Sequence, residues 1–372
     1  MRVSDVTALL DQWAPLAYSE DFDNTGLLVG DQTTEVTGIL VTLDTLEAVV
    51  DEAITRGCNL IVSFHPIIFS GLKKITNQTY VSRTVRKAIK NDIAIFAIHT
   101  ALDNAKFGVS ATMCDALGLQ NCQVLMPKEN VLNKLVTYVP IDAVEKVRMA
   151  LFDQGAGALG HYEHCSFDAL GTGRFRAKEH ANPAVGTIGQ DHIEAEAQIS
   201  ITFLAHLKSK VISALKQAHP YEVVAFEVMT LAQSCSDIGM GMIGELSQSM
   251  ETEAFLTLVK TSFNCEVIKH SKGHSNNIKR VAVLGGSGGF AIDNAKATGA
   301  DCYITADLKY HDYFKGDNDF LVADIGHYES EQYTKALIVN YLIKKITNFA
   351  PSLSPCKVVL SKVSTNPISY YS

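Results

Sequence analysis

The 372-residue chain is 47% hydrophobic and 19% charged, which excludes a disordered protein and is too long for one ordinary core. A formal net charge of −8 and a pI near 5.8 exclude broad binding to nucleic acid or acidic membranes, though not a local basic pocket. No apolar run reaches the roughly 18 residues that span a bilayer.

Met1-Arg2-Val3-Ser4-Asp5-Val6 reads as the start of a capped amphipathic helix and not as a signal peptide. From Thr37 onward apolar runs alternate with helical patterns. Gly38 to Leu43 is a predicted strand, and Thr45 to Arg56 a helix. Asn59 to Phe64 is a fully apolar strand that stops at His65-Pro66. A helix over Val81 to Lys90 precedes a strand over Ile93 to Ile98, and Val109 to Leu117 is again helical. Strand-helix-strand order with short connections predicts parallel pairing and right-handed crossovers.

The middle of the chain has another order. Leu135 to Pro140 is a strand, Ala143 to Gln154 a helix, and Gly155 to Gly160 a glycine-rich turn. Strands follow near Cys165-Ser166-Phe167 and over Ala195 to Phe203, then a helix over Leu207 to Ala218 and a strand over Val223 to Met229. This β-α-β-β-α-β order is the ferredoxin-like plan. Alternation resumes with a strand over Arg280 to Leu284, a helix over Phe290 to Thr298, strands at Cys302 to Thr305 and Phe320 to Ala323, and a long helix from Glu329 to Lys345. The fold class expected is α/β: a discontinuous core domain, residues 1–127 and 236–372, with a largely parallel sheet flanked by helices, interrupted by an α+β domain over 128–235.

Cys58, Cys114, Cys122, Cys165, Cys235, Cys265, Cys302 and Cys356 are scattered without a C-x-x-C pair. That pattern predicts free, mostly buried thiols in a reducing compartment, hence the cytoplasm.

In α/β sheets chemistry gathers at the carboxyl ends of strands. Four segments place polar groups there: His65; His99-Thr100-Ala101-Leu102-Asp103-Asn104; Asp307-Leu308-Lys309-Tyr310-His311-Asp312; and Asp324-Ile325-Gly326-His327-Tyr328-Glu329-Ser330-Glu331. His327 and Glu331, four apart, fall on one helical face, where an imidazole and a carboxylate can share a divalent cation. Acidic residues complementing a helix dipole explain that pair equally well in isolation. With His65 and Asp103 expected on the same sheet edge, the combination favours a metal site. Gly285 to Gly289 joins a strand to a helix: Gly286, Ser287 and Gly288 offer either an anion nest or a tight turn. Asp23-Asn24 either orients groups behind a site or forms a surface turn, and Asp44 either serves a strand end or caps a helix. His219-Pro220-Tyr221-Glu222 reads as a helix stop.

Taken together these segments resemble the dinuclear metal-centre hexameric family, the GTP cyclohydrolase 1 type 2 homologues, over essentially the whole chain. The resemblance rests on Asp23-Asn24-Thr25-Gly26-Leu27, Leu43-Asp44-Thr45, Ser63-Phe64-His65-Pro66 and His99 to Asp103, and later on Gly285-Gly286-Ser287-Gly288, Asp307 to His311 and Gly326 to Glu331. The insertion resembles the PII/CutA-like domain of longer members through Tyr138-Val139-Pro140, Gly155-Ala156-Gly157, Gly160, Cys165-Ser166-Phe167, Gly171-Thr172-Gly173 and His219 to Glu222.

The resemblance implies a homohexamer and two divalent metal ions per subunit, zinc, iron or manganese. By position, the ligands it implies are His65, Asp103, His327 and Glu331. The family's other histidine falls on Phe64, which has no lone pair. The second site is then weak or filled by water, or is completed by His99 or His311. The implied activity is metal-dependent hydrolysis of a nucleotide or related phosphate compound, in the narrowest form opening of the GTP ring at C8. His99 or His311 would move protons, and Gly286, Ser287 and Gly288 would bind substrate. The competing expectation is a non-enzymatic metal-holding scaffold whose PII-like insertion senses a small molecule.

Overall fold

The computed structural model describes residues 1–272, 277–349 and 357–371. The chain divides into two compact units, one of Met1–Pro127 with Ser236–Ser372 and one of Lys128–Cys235.

Helix α1 (Val3–Trp13) opens the first unit. The Arg2 N–H donates to the Asp5 carboxylate at 2.7 Å, and Val3, Val6, Leu9 and Leu10 turn one apolar stripe inward. Strands β1 (Gly26–Val29), β2 (Gly38–Thr42), β3 (Leu60–Ser63) and β4 (Ala94–Ala97) follow, with helices α2 (Glu47–Thr55) and α3 (Tyr80–Lys90) between them. Every residue of β2, β3 and β4 is buried, as strands covered on both faces require. Helices α4 (His99–Asp103) and α5 (Val109–Leu117) and strand β5 (Gln120–Lys128) complete this stretch.

The second unit contains β6 (Leu132–Pro140), α6 (Val144–Phe152), β7 (Phe167–Arg176), β8 (Asp191–Leu204), α7 (Lys208–Ala218) and β9 (Phe226–Leu231). Its sheet has the order β7-β8-β6-β9, with each neighbouring pair antiparallel. Val147 and Leu151 of α6 and Val211 and Leu215 of α7 pack with Leu135, Val139, Ile199, Ile201 and Phe203 on one face. Burying each such side chain is worth roughly 1.5–3 kcal/mol. Among the described residues of this unit, no helix packs on the other face.

Back in the first unit come β10 (Cys235–Met250), α8 (Thr252–Phe263), β11 (Lys269–His270), β12 (Ile278–Ser287), α9 (Ile292–Ala297), β13 (Cys302–Ala306), β14 (Leu321–Asp324), α10 (His327–Glu331), α11 (Thr334–Phe349) and β15 (Lys357–Leu360).

The expectation of one largely parallel core sheet needs correction, because this unit has two. The first has the order β1-β4-β3-β2-β15, parallel except for β1. The second has the order β11-β14-β13-β12-β10-β5, with β12, β13 and β14 mutually parallel and β10 and β11 antiparallel to β12 and β14. Each is covered on both faces. Helices α1 and α11 pack on Ile39, Val41, Val62 and Phe96 of the first sheet, while α2 and α3 cover Leu40, Ile61 and Ile95 behind it. Helices α5 and α8 cover Val281, Val283 and Ile304 of the second, and α9 covers Ala282 and Tyr303. Apolar runs show that strands are buried but not which sheet they join. The predicted helix over Glu329 to Lys345 is likewise two helices, broken at Gln332-Tyr333, whose side chains bond to the carbonyls of Phe263 and Ser262.

The seven described cysteines are free, and Cys356 lies outside the described residues. Among the described residues no helix is long and apolar enough to cross a membrane.

Candidate metal centre

His65 follows β3 of the first sheet, and α10 follows β14 of the second, so the site gathers where strand ends of two sheets meet. Pro66 and the main chain fix the first position: the His65 N–H donates to the Leu43 carbonyl at 2.9 Å. Glu331 Oε2 stands 3.0 Å from His65 Nε2 and 3.1 Å from His327 Nε2, and the two Nε2 atoms are 3.4 Å apart. One ligand atom from each of the three residues lies within 4.8 Å of the others.

The donor set fits a divalent cation on a specific observation. Glu331 Oε2 is buried and makes no aligned hydrogen bond, although His65 Nε2 and His327 Nε2 stand 3.0 and 3.1 Å away. A buried carboxylate oxygen left this way is costly unless a cation completes it. Imidazole and carboxylate are ligands that zinc, iron and manganese all accept.

Behind each imidazole stands an aspartate. His65 Nδ1 is 2.8 Å from Asp44 Oδ1, and His327 Nδ1 is 2.7 Å from Asp307 Oδ2. A third pair has the same form: His99 Nδ1 lies 2.9 Å from Asp23 Oδ1, and Asp23 Oδ2 accepts from the Thr100 N–H and hydroxyl. A carboxylate on Nδ1 fixes the ring and leaves Nε2 to serve as ligand or proton carrier. Asp44 is itself held, accepting a 2.6 Å bond from the Thr365 hydroxyl.

These contacts govern the charges. Burial would lower the His65 pKa, but Asp44 and Glu331 outweigh it and lift the ring to about 10. His327 rises to about 9, with burial opposed by Glu331 and Asp307. Burial would raise Glu331, and the two imidazoles instead hold it at about 2. Asp23, also opposed by burial, is brought to about 2 by His99 and Thr100. Without a cation, the pocket therefore holds two imidazolium rings around one carboxylate.

Of the residues singled out from sequence, His65, His327 and Glu331 meet directly. Asp103 stands outside that three-residue group. Burial and the nearby Glu331 charge push its carboxyl well above the usual range, which sets it beside the same pocket. His99 and Asp103 lie one turn apart on α4, and the His99 ring packs edge-on to His65 with centroids 5.1 Å apart. Phe64 is fully buried in the first core, its ring against both His65 and His99. His311 lies elsewhere, exposed and packed against Tyr310 and Phe314.

The glycine segment is a continuation of β12 as far as Ser287. Its Gly286 N–H is spent on the Ser330 hydroxyl at 3.0 Å, so it is not free for an anion. Gly286 has φ of +68°, and a Cβ there would run into the Glu331 carboxylate. Close approach is thus the role visible at that glycine.

Sequence reasoning left the role of Asp307 unstated and both Asp23 and Asp44 ambiguous. An aspartate after a strand has the same signature whether it caps a helix or orients an imidazole. The pairs are 21, 76 and 20 residues apart in the chain, so no local signal links them.

The family model described as Duf34/NIF3 (NGG1p interacting factor 3) matches residues 1–367. A Bacillus subtilis protein named GTP cyclohydrolase 1 type 2 homolog is 34% identical over 367 residues, 98% of this chain and 97% of that protein. A Staphylococcus aureus protein of the same name is 35% identical over 376 residues, all of both chains. The solved structure of a Bacillus cereus protein related to NIF3 superposes with a TM-score of 0.87 at 36% identity, covering 100% of this chain and 99% of that one.

Proposed function

The chain belongs to the Duf34/NIF3 family, and on that premise we propose that it is a divalent-metal-dependent hydrolase acting on a nucleotide or related phosphate compound. The observation that carries this reading is the convergence of His65, His327 and Glu331, with both imidazoles backed by aspartates and one buried carboxylate oxygen left without an aligned bond. His65, His327, Glu331 and Asp103 would hold the ion. When bound, it supplies Lewis acidity and lowers the pKa of a water from about 16 towards 7.

The residues do the rest. Asp44 and Asp307 keep the two rings in one orientation. His99, held by Asp23, has Nε2 without a hydrogen-bond partner among the described residues, and so it can take and return a proton or complete a second ion site in place of the imidazole missing at position 64. His311 is the weaker candidate for proton transfer, given its exposure. Gly286, Ser287 and Gly288 are the proposed substrate-binding strip; Gly286 lies against the Glu331 carboxylate, which argues for a role in close approach. The setting we infer is a cytoplasmic homohexamer. Its inserted domain is ferredoxin-like and PII/CutA-like, a reading supported by the order β6-α6-β7-β8-α7-β9.

Phe64 favours a second reading, a metal-holding sensor without turnover, because the buried ring removes a ligand position. Protein reconstituted with iron, manganese or zinc and offered GTP, other nucleotides and phosphoesters separates the two. Hydrolysis that disappears in Glu331→Ala supports the enzyme. An intact panel with all three metals sinks it and leaves the sensor.

A further inference from the structure

The segment after β15 runs towards the metal centre. Strand β15 pairs parallel with β2, Leu360 opposite Val41, and the Ser361 N–H continues the ladder to the Val41 carbonyl at 2.8 Å. Parallel neighbours leave a sheet at the same end, so the chain beyond Leu360 emerges at the edge where such sheets gather their chemistry. It is tied down there. Glu52 of α2 accepts the Ser361 hydroxyl at 2.6 Å and the Lys362 N–H at 3.0 Å, and Ser361 Oγ accepts the Val363 N–H at 3.2 Å.

Two neighbouring side chains then reach the supports of both candidate ligand groups. The Thr365 hydroxyl donates to Asp44 Oδ2 at 2.6 Å, while Asp44 Oδ1 faces His65 Nδ1 at 2.8 Å. Asn366 Nδ2 donates to Glu329 Oε1 at 3.0 Å, and Glu329 lies between His327 and Glu331 on α10. The Asn366 amide is oriented by the Ile368 N–H, which donates to its Oδ1 at 3.1 Å. Thr365 and Glu329 are both buried. The main chain of Asp44 is fixed locally, its carbonyl accepting the Thr42 hydroxyl at 2.9 Å. Its carboxylate is not, because rotation about the Cβ–Cγ bond of an aspartate is soft. Both oxygens are held only when Thr365 takes the one that His65 leaves.

We propose that Thr365 is a positioning residue of the metal centre: through Asp44 it aligns the His65 imidazole for the ion, and the segment from Ser361 to Asn366 is a clasp across both ligand-bearing elements. This rests on the metal-centre reading. The strength of ion binding is thereby set in part by a residue 321 positions along the chain from Asp44. The Asp44 side chain is 32% exposed, so water can replace a lost donor and Thr365→Val is expected to fold.

The test is titration of the metal-free full chain with zinc(II) against a chromophoric chelator, with thermal melting alongside. Thr365→Val is expected to weaken zinc ~3–10-fold, less than the ~10–100-fold loss that follows removal of a group touching a liganding imidazole. Thr365→Ser, which keeps the hydroxyl, should bind zinc as tightly as the unaltered chain. Ser361→Ala, which loosens the segment on α2, should lower the melting temperature and leave zinc affinity unchanged. In an Asp44→Asn background Thr365→Val should cost nothing further, because its effect passes through Asp44. Unchanged zinc affinity in Thr365→Val, an equal loss in Ser361→Ala, or a full additional loss in the Asp44→Asn background overturns the proposal. Glu331→Ala tells the two failures apart. If it binds zinc as the unaltered chain does, the metal-centre reading falls and the clasp with it; if it loses zinc while Thr365→Val does not, only the clasp falls.

Discussion

His65 and His327, delivered by different sheets, meet on a single oxygen of Glu331 at 3.0 and 3.1 Å. Neither sheet alone contains a site. The cation-binding capacity of the chain therefore depends on how the two sheets are joined, and removal of the shared oxygen should be felt by both rings. Glu331→Gln is expected to reduce bound divalent metal to near background, and an Asp103→Ala, Glu331→Ala double variant to do so completely. Elemental analysis of purified protein checks this; unchanged metal content rules out the assignment.

The aspartates behind the rings give a graded prediction. Asp44→Asn and Asp307→Asn keep the shape but weaken the hold on Nδ1, and each should lower metal affinity by ~10–100-fold without preventing folding. Competition with a chromophoric chelator measures it. Asp23→Asn, behind His99, should instead alter turnover or the occupancy of a second ion, leaving the first nearly intact.

Protons and metal compete for the same nitrogens. With His65 at about 10 and His327 at about 9, both rings are protonated near neutral pH in the metal-free protein. Loading must then release about two protons, and affinity should rise by up to about a hundredfold per pH unit until the rings titrate. Calorimetry in buffers of different ionisation enthalpy counts them.

The same groups set metal-free stability. A histidine raised from 6.5 stabilises the fold fully below 6.5, and that contribution is lost as pH climbs to about 10. Glu331, lowered from 4.5 to about 2, contributes above 4.5 and loses its effect as pH falls through about 2. Asp103, raised from 3.8, works the other way: its share declines as pH rises above 3.8. Thermal melting of the metal-free protein should peak around pH 4.5–6.5, tilted to the acid side, and a flat profile from pH 5 to 10 would contradict this account.

Phe64→His tests the missing ligand. If the buried phenylalanine is what limits the site, metal content should increase from about one to about two per chain. The metal-free variant should lose about 1–3 kcal/mol from a polar ring in an apolar core, measured by urea unfolding. No gain of metal in a folded variant would assign the second position to His99.

Much of this was legible in the sequence where one physical signal dominates. Leu60 to Val62 reads as buried parallel strand because nothing polar interrupts it, and His327 with Glu331 reads as one helical face because four residues make about one turn. Other features carry no local signal. The split into two sheets is decided by long-range pairing, and β10, with Gly239, Gly241 and Gly244 inside it, has the composition of a loop. Helix α4 is only five residues long, so the shared face of His99 and Asp103 could not be inferred from periodicity. The pairing of Asp23, Asp44 and Asp307 with three histidines is likewise tertiary.

Strand β15 completes the first sheet beside β2, and the residues after it reach Asp44 through Thr365 and Glu329 through Asn366. Four of the five strands of that sheet lie within the first 97 residues, yet its last edge and the support of His65 come from residues 357–366. A ribosome making this chain has thus produced His65 and its partner Asp44 long before Thr365, which braces Asp44. His327 and Glu331 follow more than 260 residues after His65, and the brace on Asp44 comes later still, so tight metal capture by the nascent chain waits for both.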